Sequence, residues 1–310
     1  MRPLPNFIAA LLASLLLYLA VFSVVHRPLT LGDIPRQLDL KLRYGATLPS
    51  PRLVIFAGSN GRYSHRCAAM AEALNLPCVN MSIAVGVGLD FMLDQLAQML
   101  RPGDLVYMPL EYSQYTVGLE EMEAGAHNAV LVHDLPAQLH ALPWPAIVRA
   151  YGSFDLAFLV HGLIEMGLAR TGFQRRTSVD TLTPQGDESQ HTAEKALAYR
   201  SLLAATERPA LHITTTPHVQ AVLGRFLQAQ QQRGVRVVGG LPTVPTGPPV
   251  PAATVDHLQG FFAAHGQQFL VLPGRSQYEL TCFFDSVSHL HEGCQIEHSQ
   301  RVGQALAALR

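Results

Sequence analysis

The sequence predicts an α/β protein: a three-layer α/β/α sandwich around a mainly parallel sheet, carried behind one N-terminal apolar helix. Three observations support this. Short apolar runs rich in β-branched residues, at 53–56, 104–110, 235–238 and 269–272, alternate with stretches of helical spacing. That alternation is the pattern of a parallel sheet covered on both faces. Residues 7–25 form an uncharged apolar run of about 19 residues, long enough to cross a bilayer. The chain has 310 residues, which suits one sizeable domain plus such a helix.

Residues 1–27 are read as a transmembrane anchor. The alternative is a cleaved signal sequence, but the small-residue site that should end one is poorly matched at Val21-Phe22-Ser23. Residues 28–50, punctuated by Pro28, Pro35 and Pro49, read as a linker wrapping onto the domain. The domain itself is placed at 51–310, with an insertion at about 113–207. After the first strand, residues 67–74 take helical spacing. A short strand follows at 77–81, then a Gly-containing loop at 82–88, a helix at 89–100 and a strand at 104–110. The insertion holds a helix-like stretch at 146–168 and a polar segment at 175–194, and such an insertion reads as a lid, a partner surface or a variable loop. Beyond it come a strand at 210–214, an amphipathic helix at 217–233, a strand at 235–240, a helix at 255–264 and a last strand at 269–272.

The chemistry-bearing stretch is Leu53-Val54-Ile55-Phe56-Ala57-Gly58-Ser59-Asn60. A strand, a sharp turn carrying Ser59 and a helix put the hydroxyl at the carboxyl edge of the sheet, where open α/β sheets bind ligands. Helix N-terminal N–H groups there can stabilise an oxyanion. Ser59 as a plain helix cap is the competing reading. A second stretch, Phe283-Phe284-Asp285-Ser286-Val287-Ser288-His289, supplies a base and an orienting carboxylate for a serine nucleophile. The order Ser, Asp, His is one in which that geometry recurs. His65 and His291 are rivals to His289. The group His289, His291 and Glu292 lacks a recognisable ligand spacing, so no metal is expected, and no cofactor.

Gly58-Ser59-Asn60 after a strand, Asn80 in a Gly-rich stretch after a second strand, and Asp285 with His289 before the last helix resemble the SGNH (GDSL-like) hydrolase superfamily. The resemblance is closest to its envelope-facing branch, which assists O-acetylation of exopolysaccharides such as alginate and cellulose, or D-alanylation of teichoic acids. It covers roughly residues 50–112 and 208–310. It implies Ser59 as nucleophile, His289 as base and Asp285 as the residue that orients it. Oxyanion and substrate contacts would come from Asn60, Asn80, Ser82 and Gly86, with Gly88 a further candidate. Two features depart from the family. Glu111-Tyr112 stands where many members carry an oxyanion-binding Asn, and the Asp–His spacing is four rather than three. The implied protein sits in a bacterial inner membrane by a single span and faces the periplasm. It acetylates a polysaccharide, most plausibly bacterial cellulose, with a membrane-bound acyltransferase as acyl donor.

Charged residues make up 15% of the chain and the net charge is −1, so no basic patch points to nucleic acid. Cys67 and Cys78 flank the helix after Ser59, and Cys282 and Cys294 bracket the Asp/His stretch. Two disulfides and four buried thiols are both compatible with this placement, and the pairing does not follow from sequence. A non-catalytic polysaccharide-binding or scaffold subunit is the alternative function.

Overall fold

In a computed structural model the chain is described at residues 3–24, 29–118, 128, 132, 139–140, 143–152, 156–171 and 179–309. The helices and strands, in order, are α1 Pro3–Val24, α2 Leu29–Thr47, β1 Leu53–Ile55, α3 Ser59–Ser64, α4 Cys67–Leu74, β2 Cys78–Asn80, α5 Leu89–Met99, β3 Leu105–Met108 and α6 Tyr112–Thr116. They continue with α7 Trp144–Gly152, α8 Leu156–Arg170, α9 Ala193–Ala196, α10 Arg200–Ala205, α11 Pro217–Gln232, β4 Arg236–Gly240, β5 Val244–Pro245, α12 Ala252–Ala264, β6 Gln268–Leu270, β7 Gln277–Tyr278 and α13 Glu292–Ala308. Two compact units emerge, Met1–Pro35 with Glu123–Thr177, and Arg36–Met122 with Ser178–Arg310.

The second unit holds a five-stranded sheet in the order β2-β1-β3-β4-β6, with every neighbouring pair parallel. The expected parallel α/β architecture is therefore present. The order in which successive strands are added reverses between β1 and β3, and the crevice outside the carboxyl ends of strands at such a switch point is where these sheets bind ligands. The side chains of β1 show why both faces need cover. Leu53 and Ile55 pack with Met70 and Leu74 of α4 and with Val302 and Leu306 of α13, while Val54 on the opposite face is also fully buried. At the amino ends of β1 and β3, Arg52 and Asp104 form a buried ion pair of 3.1 Å. Asp104 also accepts from Ser50 and from the Arg101 N–H, so the buried carboxylate is satisfied rather than orphaned.

Three expectations change. Residues 28–50 are largely helix α2, not linker. Ile34, Leu38 and Lys41 recur on one buried face, and that periodicity outweighs Pro35, which lies inside the helix. The Lys41 ammonium donates to the Ser82 and Gly186 carbonyls at 2.5 and 2.7 Å. Residues 210–214 form no strand: the Ile213 N–H donates to Thr254 Oγ1 and the Thr215 N–H to His257 Nε2, so side chains of α12 replace a ladder. The insertion is narrower than 113–207, because residues 178–207 belong to the sheet-bearing unit. There the buried Asp187 accepts from the Cys67 N–H and from Asn80 Nδ2, both at 3.1 Å. The helix-like stretch at 146–168 is divided between α7 and α8, whereas most of residues 119–142 lie outside the described residues.

The apolar run forms α1, whose stretch Leu4–Val21 has a mean hydropathy of 2.1 and no buried share. It has the length and composition of a membrane span or a signal sequence. The cysteines pair as Cys67–Cys78 and Cys282–Cys294. An apolar N-terminal helix and two disulfides together point to an extracytoplasmic location.

Candidate active site

Ser59 opens α3 directly after β1, with Gly58 as the preceding cap. Its backbone N–H has no partner inside the helix, as at every helix start. Gly58 is required by close packing: a Cβ there would meet Glu111 Oε1 at 2.5 Å and the Val85 nitrogen at 3.0 Å. The turn carrying Ser59 is thus wedged between the loop after β3 and the short turn Val85–Val87.

The strand–turn–helix and the distant Asp/His stretch meet. His289 Nε2 lies 2.8 Å from Ser59 Oγ, and His289 Nδ1 lies 2.6 Å from Asp285 Oδ1. The four-residue Asp–His spacing is accommodated by a tight turn, in which the Phe284 N–H donates to the His289 carbonyl and the His289 N–H to the Ser286 carbonyl. Burial pushes the Asp285 carboxyl up, but the hydrogen bond and charge of His289 outweigh it and hold the group below its ordinary value. A carboxylate that stays ionised fixes the imidazole with Nδ1 protonated, leaving Nε2 free to accept the serine proton.

The turn carrying His289 is fastened on several sides. The disulfide Cys282–Cys294 closes it at its base. The Ser288 carbonyl accepts from Asn60 Nδ2 at 2.7 Å, and Ser64 Oγ accepts from the Leu290 N–H. The Tyr63 ring lies flat on the His289 ring, with centroids 4.1 Å apart and planes 10° apart. The Arg62 guanidinium sits 4.7 Å from the same tyrosine ring centre. Sequence reasoning passed over Tyr63. Its only signal was position, four residues after Ser59 and hence one helical turn on.

The expected oxyanion residues divide. Asn80 Nδ2 donates to the carbonyls of Gly61 and His65 and to Asp187, while its Oδ1 accepts the Ser82 N–H at 3.1 Å. Asn80 and Ser82 therefore hold the second loop together, and the Ser82 N–H is already used. Asn60 Nδ2 is engaged with Thr243 and Ser288. Gly86 is exposed in the turn whose first residue, Val85, abuts Gly58.

Glu111 follows β3 across the switch point. Its carboxyl accepts the Asn60 N–H at 2.8 Å, and it caps α6. Burial raises its pKa, against the lowering effects of the Asn60 hydrogen bond, the nearby His289 and the hydrogen bond of the Ser59 side chain. Gln114 Oε1 joins the two loops by accepting the N–H groups of Gly58 and Glu111.

The rival histidines have other partners. His65 is fully buried, with its Nε2 3.2 Å from His298 Nε2. His291 caps α13, its Nδ1 accepting from the Gly293 and Cys294 N–H groups. Cys282, His291 and Cys294 have potential ligand atoms within 4.8 Å of one another, but both sulfurs are spent in the disulfide and offer no thiolate.

The constellation can abstract the Ser59 proton and orient the base that takes it, the requirement for a covalent acyl-serine route. No protein-family model matches the chain, and no curated protein matches it in sequence.

Proposed function

We propose that this protein is an SGNH-type serine acyltransferase or acetylesterase with an α/β/α sandwich fold. It is held to the bacterial inner membrane by α1, faces the periplasm, and acts in O-acetylation of an exopolysaccharide, with bacterial cellulose as the proposed polymer. The single observation that carries the reading is the continuous relay Ser59 Oγ, His289 Nε2, His289 Nδ1 and Asp285 Oδ1, at 2.8 and 2.6 Å. The relay stands at the switch point of a parallel sheet.

In the acylation half-reaction Ser59 Oγ bonds to the carbonyl carbon of an acetyl donor and passes its proton to His289. The Ser59 N–H and the backbone of the 85–86 turn face the developing oxyanion. The bond from the carbonyl carbon to the leaving oxygen breaks, and that oxygen takes the proton from His289. In the second half an acceptor hydroxyl gives its proton to His289 and attacks the acetyl-serine, and Ser59 recovers its proton. A sugar hydroxyl as acceptor makes the protein a transferase; water makes it an esterase. A membrane-bound acyltransferase is the proposed source of the acetyl group.

The test is hydrolysis of 4-nitrophenyl acetate by wild type, Ser59→Ala and His289→Ala, with and without cello-oligosaccharide. The expected loss is roughly three orders of magnitude or more for each variant, with acetylated oligosaccharide formed only by wild type. Equal rates in all three proteins would overturn the reading. A second reading is a non-catalytic polysaccharide-binding or scaffold subunit. The observation that favours it is the Glu111 carboxyl beside Ser59, together with the structural engagement of Asn60 and Asn80.

A further inference from the structure

The unit formed by Met1–Pro35 and Glu123–Thr177 is the part of the chain the proposed chemistry leaves unused. Its helix α8 carries Leu156, Val160, Leu163, Ile164 and Leu168 at offsets of 0, 4, 7, 8 and 12, the spacing of one helical face. In a soluble domain such a stripe turns into the core. Here Leu156 is 72% exposed and Ile164 56% exposed, and the other three are exposed as well. Trp144 and Val148, one turn apart on α7, are also exposed, Trp144 at 75%. Exposed apolar stripes of this kind mark an interaction site.

We infer that α7 and α8 form a docking face for the lipid bilayer that receives α1, lying on the membrane surface rather than acting as a lid. The occupant follows from what the face is tied to. Tyr18 Oη, near the end of α1, donates to the Tyr151 carbonyl of α7 at 2.8 Å. Helix α1 has 22 residues, a length of about 33 Å, against a hydrocarbon core of about 30 Å. A span of that length puts Tyr18 toward the far interface, and α7 is bonded to it at that level. Helix α8 has 15 residues, or about 22 Å, too short to cross. An apolar helix too short to span, following in sequence a helix bonded to one that does, meets lipid by lying in the interface. A largely exposed indole is the side chain that favours that depth. This inference rests on the reading of α1 as a retained anchor.

The chain contains one tryptophan, so Trp144 is an intrinsic probe. The experiment reconstitutes the full chain in phosphatidylethanolamine/phosphatidylglycerol vesicles and records tryptophan emission. It compares lipids brominated about 5–10 Å below the headgroup boundary with unbrominated lipids, and adds acrylamide from the water. The expected result is blue-shifted emission, strong quenching by brominated lipid and weak quenching by acrylamide. The variant Val160→Glu/Ile164→Glu changes only exposed positions and should lose most of the lipid quenching. Water-like emission quenched by acrylamide alone would overturn the inference. Protection from both quenchers would also overturn it, because a protein surface would then cover the face. Intact mass of the membrane-extracted protein reports separately whether residues 1–24 are retained. Failure of the anchor reading is thus distinguished from failure of the docking face, and neither depends on activity toward acetyl esters.

Discussion

The Tyr63 ring stacks on the His289 imidazole, nearly parallel to it with centroids 4.1 Å apart, so the base of the proposed relay is held by a residue of the same short helix as its nucleophile. Aromatic pairs of this kind contribute about 0.5–1.5 kcal/mol beyond area burial. Tyr63→Ala should leave the protein folded and lower kcat by roughly tenfold, the rate equivalent of about 1.4 kcal/mol. Tyr63→Phe should retain most activity. Steady-state hydrolysis of an acetyl ester, read as kcat and KM separately, checks both; a change confined to KM would assign Tyr63 to substrate contact instead.

Glu111 makes the site sensitive to rising pH. Burial raises its carboxyl above the ordinary value, so the neutral acid persists further up the pH scale than an exposed Glu would. Once ionised, the carboxylate opposes the negative charge that develops beside Ser59. Activity should therefore fall on the side of rising pH as Glu111 loses its proton. Glu111→Gln keeps a neutral group of the same shape and should remove that limb from the kcat/KM profile. An unchanged profile would show that Glu111 only caps α6 and fastens Asn60.

The Cys282–Cys294 bridge closes the segment that carries Asp285 and His289. A loop of this length restrains the unfolded chain by about 3 kcal/mol in the chain-entropy account. The double variant Cys282→Ser/Cys294→Ser should lower both thermal stability and kcat, since the turn then relies on non-covalent contacts: the Ser288 carbonyl and Leu290 N–H hydrogen bonds, its own backbone bonds and the Tyr63 stack. Differential scanning calorimetry and ester hydrolysis on the same preparation separate the two effects.

His65 and His298 make the fold sensitive to acid. Their Nε2 atoms lie 3.2 Å apart in full burial, with Tyr278 Oη against His298 Nδ1. Burial holds His65 down to about 3. Burial, then the neighbouring His65 and Arg301 charges, hold His298 well below its ordinary value. Both folded-state values lie below the unfolded value of about 6.5. The unfolded chain therefore gains protons first as pH falls, and stability is lost from pH 6.5 downward. The slope is roughly 1.4 kcal/mol per pH unit for each histidine. Melting temperatures from pH 7 to pH 4 should follow that trend, and His298→Gln should flatten it.

Much of the sheet and the relay was legible in the sequence, because both rest on local patterns. A run such as 53–56 announces a buried strand, and Gly58-Ser59 announces the turn at its end. What was not legible depends on distant partners. Residues 210–214 carry an apolar, strand-like pattern, but the Ile213 N–H is taken by Thr254 and that of the following Thr215 by His257. Helix α2 was obscured by Pro35, and only the burial of Ile34, Leu38 and Lys41 reveals its face. Asn80 was read as an oxyanion donor, but its amide is drawn inward by Asp187, 107 residues away. Tyr63 offered no chemical signal until His289 was brought over it.

The most direct measurement is peptide-resolved mass spectrometry after brief exposure to 4-nitrophenyl acetate and acid quench, wild type beside Ser59→Ala. The account predicts a single acetyl group on the wild-type peptide that contains Ser59, rising and decaying with turnover and absent in the variant. A folded wild-type protein that turns over no ester and carries no acetyl group on Ser59 would contradict it.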